Sequence, residues 1–366
     1  VIKIESSAYP DGLRQAPPGK ALSRSWALTH RNEYSLGLDL RHQCGAELFG
    51  RLVEGADAVF ANFKPGTLAA LGFSFDRLRS LNPGIVLAES SAFGDRGPWS
   101  AQMGYGPLVR ASTGVTRLWT SCDAEPGTFY DATTIFPDHV VGRLTAIATL
   151  AVMIRRGSTG VGGHVHISQA EAAINQLTEV FVAESARAAG LPVDSDEAIH
   201  AVFPCAGDDE WCVISLRNAS DRATVAGLIG AAELPDDRAG LIAEVSRWTA
   251  SRANVEVASE LQRLGVPAGP MNRAADVAAD AQVVFRHLYT DLVHPLLDAP
   301  IPAETGPAPY TRIPSAELRP APMPGEHTRA ICQQVLGLSP ERIDELTADG
   351  VLFTYQKTEE GSRHAR

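Results

Sequence analysis

The chain has 366 residues, 45% of them hydrophobic and 20% charged, with a formal net charge of -11 at pH 7. That balance buries a core and excludes a chain that is mainly disordered. The acidic excess also excludes a general nucleic-acid binder, which needs a basic stripe, so any anionic ligand must meet a local patch.

Val1 to Glu5 reads as a buried strand, followed by a loop over 6–20 rich in Pro and Gly. Tyr34-Ser-Leu-Gly-Leu-Asp-Leu alternates like a second strand, and Gly45 to Val53 has helical spacing of Leu48, Leu52 and Val53. Ala56 to Phe63 is a short β run stopped by Pro65-Gly66. Short helices are predicted over 67–72 and 74–81, the second capped by Ser74, and Ile85 to Ser90 is another β run. Strands alternating with short helices imply a parallel sheet in an α/β domain. After a loop over 94–106 comes a long helix, Asp138 to Arg156, closed by Gly157. A glycine-rich turn then leads to the strand His164 to Ser168, and Gln169 to Arg187 is helical. The segment 190–196 reads as a linker, and Phe203 to Ile214 as a hairpin turning at Gly207-Asp208. A Pro-rich crossing from Pro295 to Pro324 reads as an extended linker. Helices over 326–336 and 340–347 precede a frayed end over 358–366.

The longest apolar segment, Leu144 to Ile154, is interrupted by Thr145 and Thr149 and falls short of the roughly 18 apolar residues of a membrane span, so no membrane partner is expected. Cys44, Cys122, Cys205, Cys212 and Cys332 are scattered without a CxxC pair and read as reduced thiols in a cytoplasmic protein. The opening at Val1, on a strand-like segment with no signal peptide, leaves open a fragment or an unseen start.

Asp138, between Pro137 and a helix, has two compatible readings. Its carboxylate can cap the first turn, and a carboxylate kept ionised by the helix dipole can serve as an acyl-group nucleophile. Gly160-Val-Gly-Gly follows a helix and precedes a strand, the reverse of a phosphate loop, and reads as a helix C-cap. His164 and His166 share one strand face, but sequence brings no further ligand near, and no metal is expected. Asp208 and Asp209 read as turn formers, and Cys205 and Cys212 as buried thiols. Lys64, in a chain with four lysines, ends a strand at the sheet edge where α/β proteins hold ligands; it is either an exposed loop lysine or an anion contact. Lys3, Arg14 and Arg41 are candidates for a local basic rim.

Taken in order, a set of motifs resembles the class III CoA-transferases, a family that includes formyl-CoA and carnitine CoA-transferases and α-methylacyl-CoA racemases. They are Asp39-Leu-Arg, Ala61-Asn-Phe-Lys-Pro-Gly-Thr-Leu, Leu78-Arg-Ser-Leu-Asn-Pro, Phe93-Gly-Asp-Arg-Gly-Pro, Gly104-Tyr, Asp138-His-Val-Val-Gly, Thr159-Gly-Val-Gly-Gly, Pro204 to Trp211 and Gly325-Glu-His-Thr. The resemblance spans nearly the whole chain. It implies an α/β fold with a Rossmann-like large domain formed from both chain ends, a smaller α+β domain, and an interlocked-ring homodimer. On that plan 1–188 and 325–366 form the large CoA-binding domain, 201–294 the small domain, and 189–200 and 295–324 the linkers.

The resemblance also implies that Asp138 attacks an acyl-CoA thioester and carries CoA, through an aspartyl anhydride and an aspartyl-CoA thioester, to an acceptor carboxylic acid. Leu38, Arg41, Asn62, Phe63 and Lys64 fall where relatives contact the CoA nucleotide, and Tyr105 and Gly106 where the pantetheine arm approaches. CoA thioester is then substrate, with no tightly bound cofactor. Several departures stand out: the first strand–helix unit usual in relatives is absent, and Ser6 and Ala70 replace arginines directed at CoA. Tyr105 also stands where the racemases place a catalytic histidine, and Gly106 where an acidic residue often follows. A racemase using Asp138 as base, which needs two proton-transfer groups, and a non-catalytic CoA-binding half of a tandem protein are the alternatives.

Overall fold

The computed structural model describes residues 1–120, 124–125, 127, 136–193, 198–306, 310–314 and 316–356. Cys122, the linker residues 194–197 and the chain end from 357 onward lie outside the described residues. The chain divides into two compact units, one of Val1–Ser185, Leu292–Ile301 and Ala316–Arg366, the other of Ala186–Asp291 and Pro302–Ser315.

In the first unit, β1 (Ile2–Glu5) pairs in parallel with β2 (Tyr34–Leu38), which pairs on its other side with the antiparallel β11 (Leu352–Phe353). A second sheet runs β3 (Ala58–Ala61), β4 (Val86–Ser91), β5 (Gly163–Ser168), all parallel, as the alternation of strands and helices predicts. β2 departs from its alternating pattern: Ser35 and Gly37 are buried along with Leu36 and Leu38. The polar Ser35 is accommodated because its hydroxyl donates to Glu5 and accepts from the Gly325 N–H at 2.8 Å. One hydrophobic cluster joins Leu36, Leu48, Phe49, Leu78 and Ile85 to Ile331, Leu336, Ile343 and Leu352, so early and late segments share a core.

The expected basic rim does not form, because two of its members are committed to internal contacts. Arg14 donates to Glu5, its Nε at 2.7 Å from Oε1, and stacks 3.7 Å over the buried Trp26 ring, while Lys3 pairs with Asp11 at 3.0 Å. Arg41 lies exposed against Tyr9. Three short helices escape sequence periodicity: Arg24–Thr29, Gly106–Ser112 and Val115–Leu118.

The long helix spans Phe136–Thr159 rather than Asp138 to Arg156. Pro137 is tolerated in its first turn, where no N–H bond is lost, and the helix ends on Gly160, whose φ of 69° suits glycine. Its buried stripe is made of small side chains, two apolar and two polar: Pro137, Val141, Thr145 and Thr149, about one turn apart, with both threonine hydroxyls donating to carbonyls four residues earlier. The bulkier Ile147, Leu150 and Ile154 point outward. At 24 residues it is long and apolar enough to cross a membrane by length and composition, the two threonines notwithstanding. It packs on β4, β5 and the helix Gln169–Asn175.

The second unit holds an antiparallel sheet, β6 (Ile199–Pro204), β7 (Trp211–Leu216), β8 (Ala268–Pro270), covered by the helices Ala219–Ile229, Arg238–Thr249 and Asn254–Arg263 around Phe203, Ile214, Leu241 and Leu261. The β6–β7 connection is a six-residue loop, not a two-residue turn. Cys205 N–H bonds Glu210 O at 2.8 Å, and Asp209 takes a left-handed φ of 54° while accepting from Trp211 Nε1 at 2.7 Å. Cys205 and Cys212 are both buried thiols. A further two-stranded sheet pairs β9 (Tyr289–Leu292) with β10 (Ile301–Glu304), the latter inside the Pro-rich crossing read as an extended linker.

Candidate active site

Asp138 lies inside the first turn of the helix Phe136–Thr159 and does not cap it. What holds it is a residue 31 positions later. β5 ends at Ser168, whose hydroxyl caps the next helix by accepting the Glu171 N–H at 3.2 Å. Gln169, the first residue of that helix, donates its Nε2 to Asp138 Oδ1 at 3.1 Å. The other carboxylate oxygen, Oδ2, is buried with no hydrogen-bond partner among the described residues, and so is Gln169 Oε1. A buried carboxylate oxygen without a donor costs free energy and points to a reactive or ligand-filled position.

Burial pushes the Asp138 carboxyl above the usual carboxylate range, although the Gln169 amide, its own backbone N–H and nearby His139 each favour the anion. The direction is opposite to the downward pull of the helix dipole. The dipole acts best on an exposed terminal charge, whereas here loss of solvent outweighs it.

The other expected site residues separate. Tyr105 precedes the helix Gly106–Ser112 and is 77% exposed, while Gly106 is buried; that helix packs against both the Asp138 helix and the Gln169 helix. It also buries Arg110 completely, a cation that no motif indicated. Asn62, Phe63 and Lys64 are exposed just beyond β3, and Lys64 lines a cavity of about 460 Å³. Leu38 is 1% exposed, its side chain committed to the core, so only its backbone is available to a ligand.

The same cavity is lined by Glu89, Asp95, His164 and His166. His164 and His166 do share a strand face, but the neighbouring strand supplies what sequence spacing does not. Glu89 of β4 lies opposite His166 in register, and its Oε2 is 2.7 Å from His164 Nε2. His166 Nε2 lies 2.8 Å from Ser91 Oγ. Gln169 and Glu89 are thus the residues that sequence reading missed, each joined to its partner only by long-range packing. The Gly160–Gly163 turn is structural: a Cβ on Gly162 would lie 1.9 Å from the Ile85 carbonyl oxygen.

Residues 1–328 match the family described as CoA-transferase family III. A probable CoA-transferase from Mycobacterium tuberculosis is 55% identical over 96% of this chain and 47% of its own length, so the chain spans about half of that relative. The succinyl-CoA–L-malate CoA-transferase beta subunit of Chloroflexus aurantiacus is 26% identical over 96% of this chain and 91% of its own. Among solved structures, a CAIB/BAIF family protein from Brucella suis superposes with a TM-score of 0.78 at 26% identity, over 91% of each chain. The mixed α/β architecture and the motif order agree with these likenesses: the chain belongs to CoA-transferase family III.

Proposed function

We propose that this protein moves CoA from an acyl-CoA thioester to a carboxylic acid with Asp138 as nucleophile. The observation that carries the reading is the divided environment of that carboxylate: Oδ1 is held by Gln169, and Oδ2 is buried with no partner among the described residues. An oxygen so desolvated is a stronger nucleophile once ionised. Asp138 attacks the thioester carbonyl and CoA leaves as thiolate, giving a mixed anhydride. The thiolate attacks the aspartyl carbonyl, releasing the donor carboxylate and leaving aspartyl-CoA. The acceptor carboxylate then attacks that thioester, CoA thiolate departs and returns to the new acyl carbonyl, and Asp138 is regenerated. One thioester replaces another of similar energy, so the sequence balances without an added energy source. The developing oxyanions require N–H donors, and first-turn amides of a helix lack intrahelical partners.

CoA binding is assigned to Arg41, Asn62, Phe63, Lys64, Tyr105, Gly106 and the backbone of Leu38. The larger unit is read as the Rossmann-like domain, covering 1–188 and 325–366, with 201–294 as the small domain. The assembly is read as an interlocked homodimer, a reading supported by the outward-facing Ile147, Leu150 and Ile154. The four described cysteines are free thiols, which fits a reducing, cytoplasmic setting.

The test is chemical trapping. Incubation with a panel of acyl-CoA thioesters and hydroxylamine should convert Asp138 to its hydroxamate, located by peptide mass spectrometry. The proposal fails if the adduct appears on another residue, or if Asp138→Ala turns over as wild type does.

A further inference from the structure

Parallel pairing of β4 and β5 sets Leu87 opposite His164 and Glu89 opposite His166, so Glu89 is the direct neighbour of one histidine and the diagonal neighbour of the other. The ligand-capable atoms of Glu89, His164 and His166 all lie within 4.8 Å of one another. The two rings are held from outside the cluster. Phe75 stacks on His164 with centroids 5.3 Å apart and planes at 23°, and Ser91 Oγ meets His166 Nε2 at 2.8 Å. Fixed ring orientation of this kind is the usual support of a metal-binding histidine.

Two imidazoles and one carboxylate are the donor set of zinc, cobalt, nickel or ferrous iron, and a poor match to calcium or magnesium, which take oxygen ligands. The cluster opens on the cavity of about 460 Å³, which leaves room for solvent or a further ligand on the exposed side. Asp95 lines the same cavity, so its walls carry a second carboxylate, which favours a cation, while Lys64, assigned above to CoA, lines it as well. We propose that Glu89, His164 and His166 form a binding site for one divalent transition-metal ion of the zinc class. Binding exchanges the His164–Glu89 hydrogen bond for coordination to the ion, with the His164 proton passing to solvent if that nitrogen carries it. The site uses none of the residues assigned to the transfer chemistry or to CoA, although Lys64 lines the same cavity.

The experiment uses the full chain, stripped with chelator and dialysed, then titrated with Co²⁺ while its visible absorption is followed, and back-titrated with Zn²⁺. The expected result is one Co²⁺ per chain, with the intense bands of a low-coordinate site, displaced by one Zn²⁺. His166→Ala should weaken binding by more than about 100-fold, and Ser91→Ala, which only orients a ligand, by about tenfold. Glu89→Gln keeps the shape of the side chain and serves as the deciding variant should His166→Ala fail to fold. Absence of stoichiometric binding at micromolar metal, or binding unchanged in Glu89→Gln and His166→Ala, overturns the assignment.

Discussion

Replacing Gln169 with Leu removes the side-chain hydrogen bond that the described structure gives to the Asp138 carboxylate. The Nε2–Oδ1 bond of 3.1 Å is made to a group that is a better acceptor when ionised. A hydrogen bond to a charged group contributes about 1.5–3 kcal/mol, and the partial exposure of Asp138 argues for the low end. Losing about 1.5 kcal/mol of anion stabilisation moves the titration midpoint up by about one pH unit. The fold should hardly notice, because Leu also removes Gln169 Oε1, a buried acceptor with no partner, whose desolvation costs about 1–3 kcal/mol. Gln169→Glu adds a like charge beside the carboxylate and should raise the midpoint further. Infrared difference spectra against pH, with Asp138→Asn as the subtraction, read this carboxyl directly and need no substrate. A midpoint in Gln169→Leu equal to or below that of wild type refutes the claim that Gln169 holds the anion.

Asp138→Asn tests the cost of the buried charge. The folded-state carboxyl titrates above its unfolded value, so its ionisation lowers stability as pH rises through the folded midpoint. The variant should therefore melt higher than wild type at neutral pH, with the difference fading in acid; a lower neutral-pH melting temperature contradicts this. Gly162→Ala should lose about 1–3 kcal/mol in denaturant titration, because its Cβ meets the Ile85 backbone at 1.9 Å and no flexible side chain can yield. Burial holds the Cys212 and Cys332 thiols up at about 11, so alkylation mapped by mass spectrometry at pH 8 should label half-buried Cys44 well before either. Lys64→Ala should weaken CoA binding about three- to tenfold, the modest effect of an exposed cation, and calorimetry that detects no change removes Lys64 from the CoA path.

Much of the fold is legible locally because its signals are local. β3 and the first half of β4 are apolar runs, β1 and β5 alternate apolar with polar residues, and Ser74 and Ser339 cap the helices Phe75–Leu81 and Pro340–Ala348 through their own hydroxyls. Errors arise where tertiary structure replaces a local rule. The alternation along β2 predicts one solvated face, yet Ser35 is buried by a bond to Glu5 and Gly37 by contact with Phe353. Gly157 looks like a helix stop, but the chain needs the left-handed turn only at Gly160, and the helix continues to Thr159. Helices of four to seven residues, such as Gly106–Ser112, are too short to display a period.

The site divides along the same line. Asp138 is visible in sequence because a Pro-Asp pair opening an apolar helix is a local pattern; its chemistry is not, because the raised carboxyl depends on burial and on an amide 31 residues away. His164 and His166 are visible as a same-face pair for the same local reason, whereas their acidic neighbour is 75 residues from His164 and becomes adjacent only through the β4–β5 ladder. A parallel ladder places residues side by side across a helical crossover, so no spacing rule along one chain segment reaches them. What sequence can supply is the conditional statement: if these two strands pair in parallel, some side chain of β4 must face the histidines, and of the inward candidates Leu87, Glu89 and Ser91 only Glu89 carries a charge. Asp138 and Gln169 obey the same logic, since the strand that presents the histidines ends at Ser168 and delivers the next residue to the helix N-terminal turn. The strand Gly163–Ser168 thus supplies the histidine face and leads directly into Gln169, the residue that holds the proposed nucleophile.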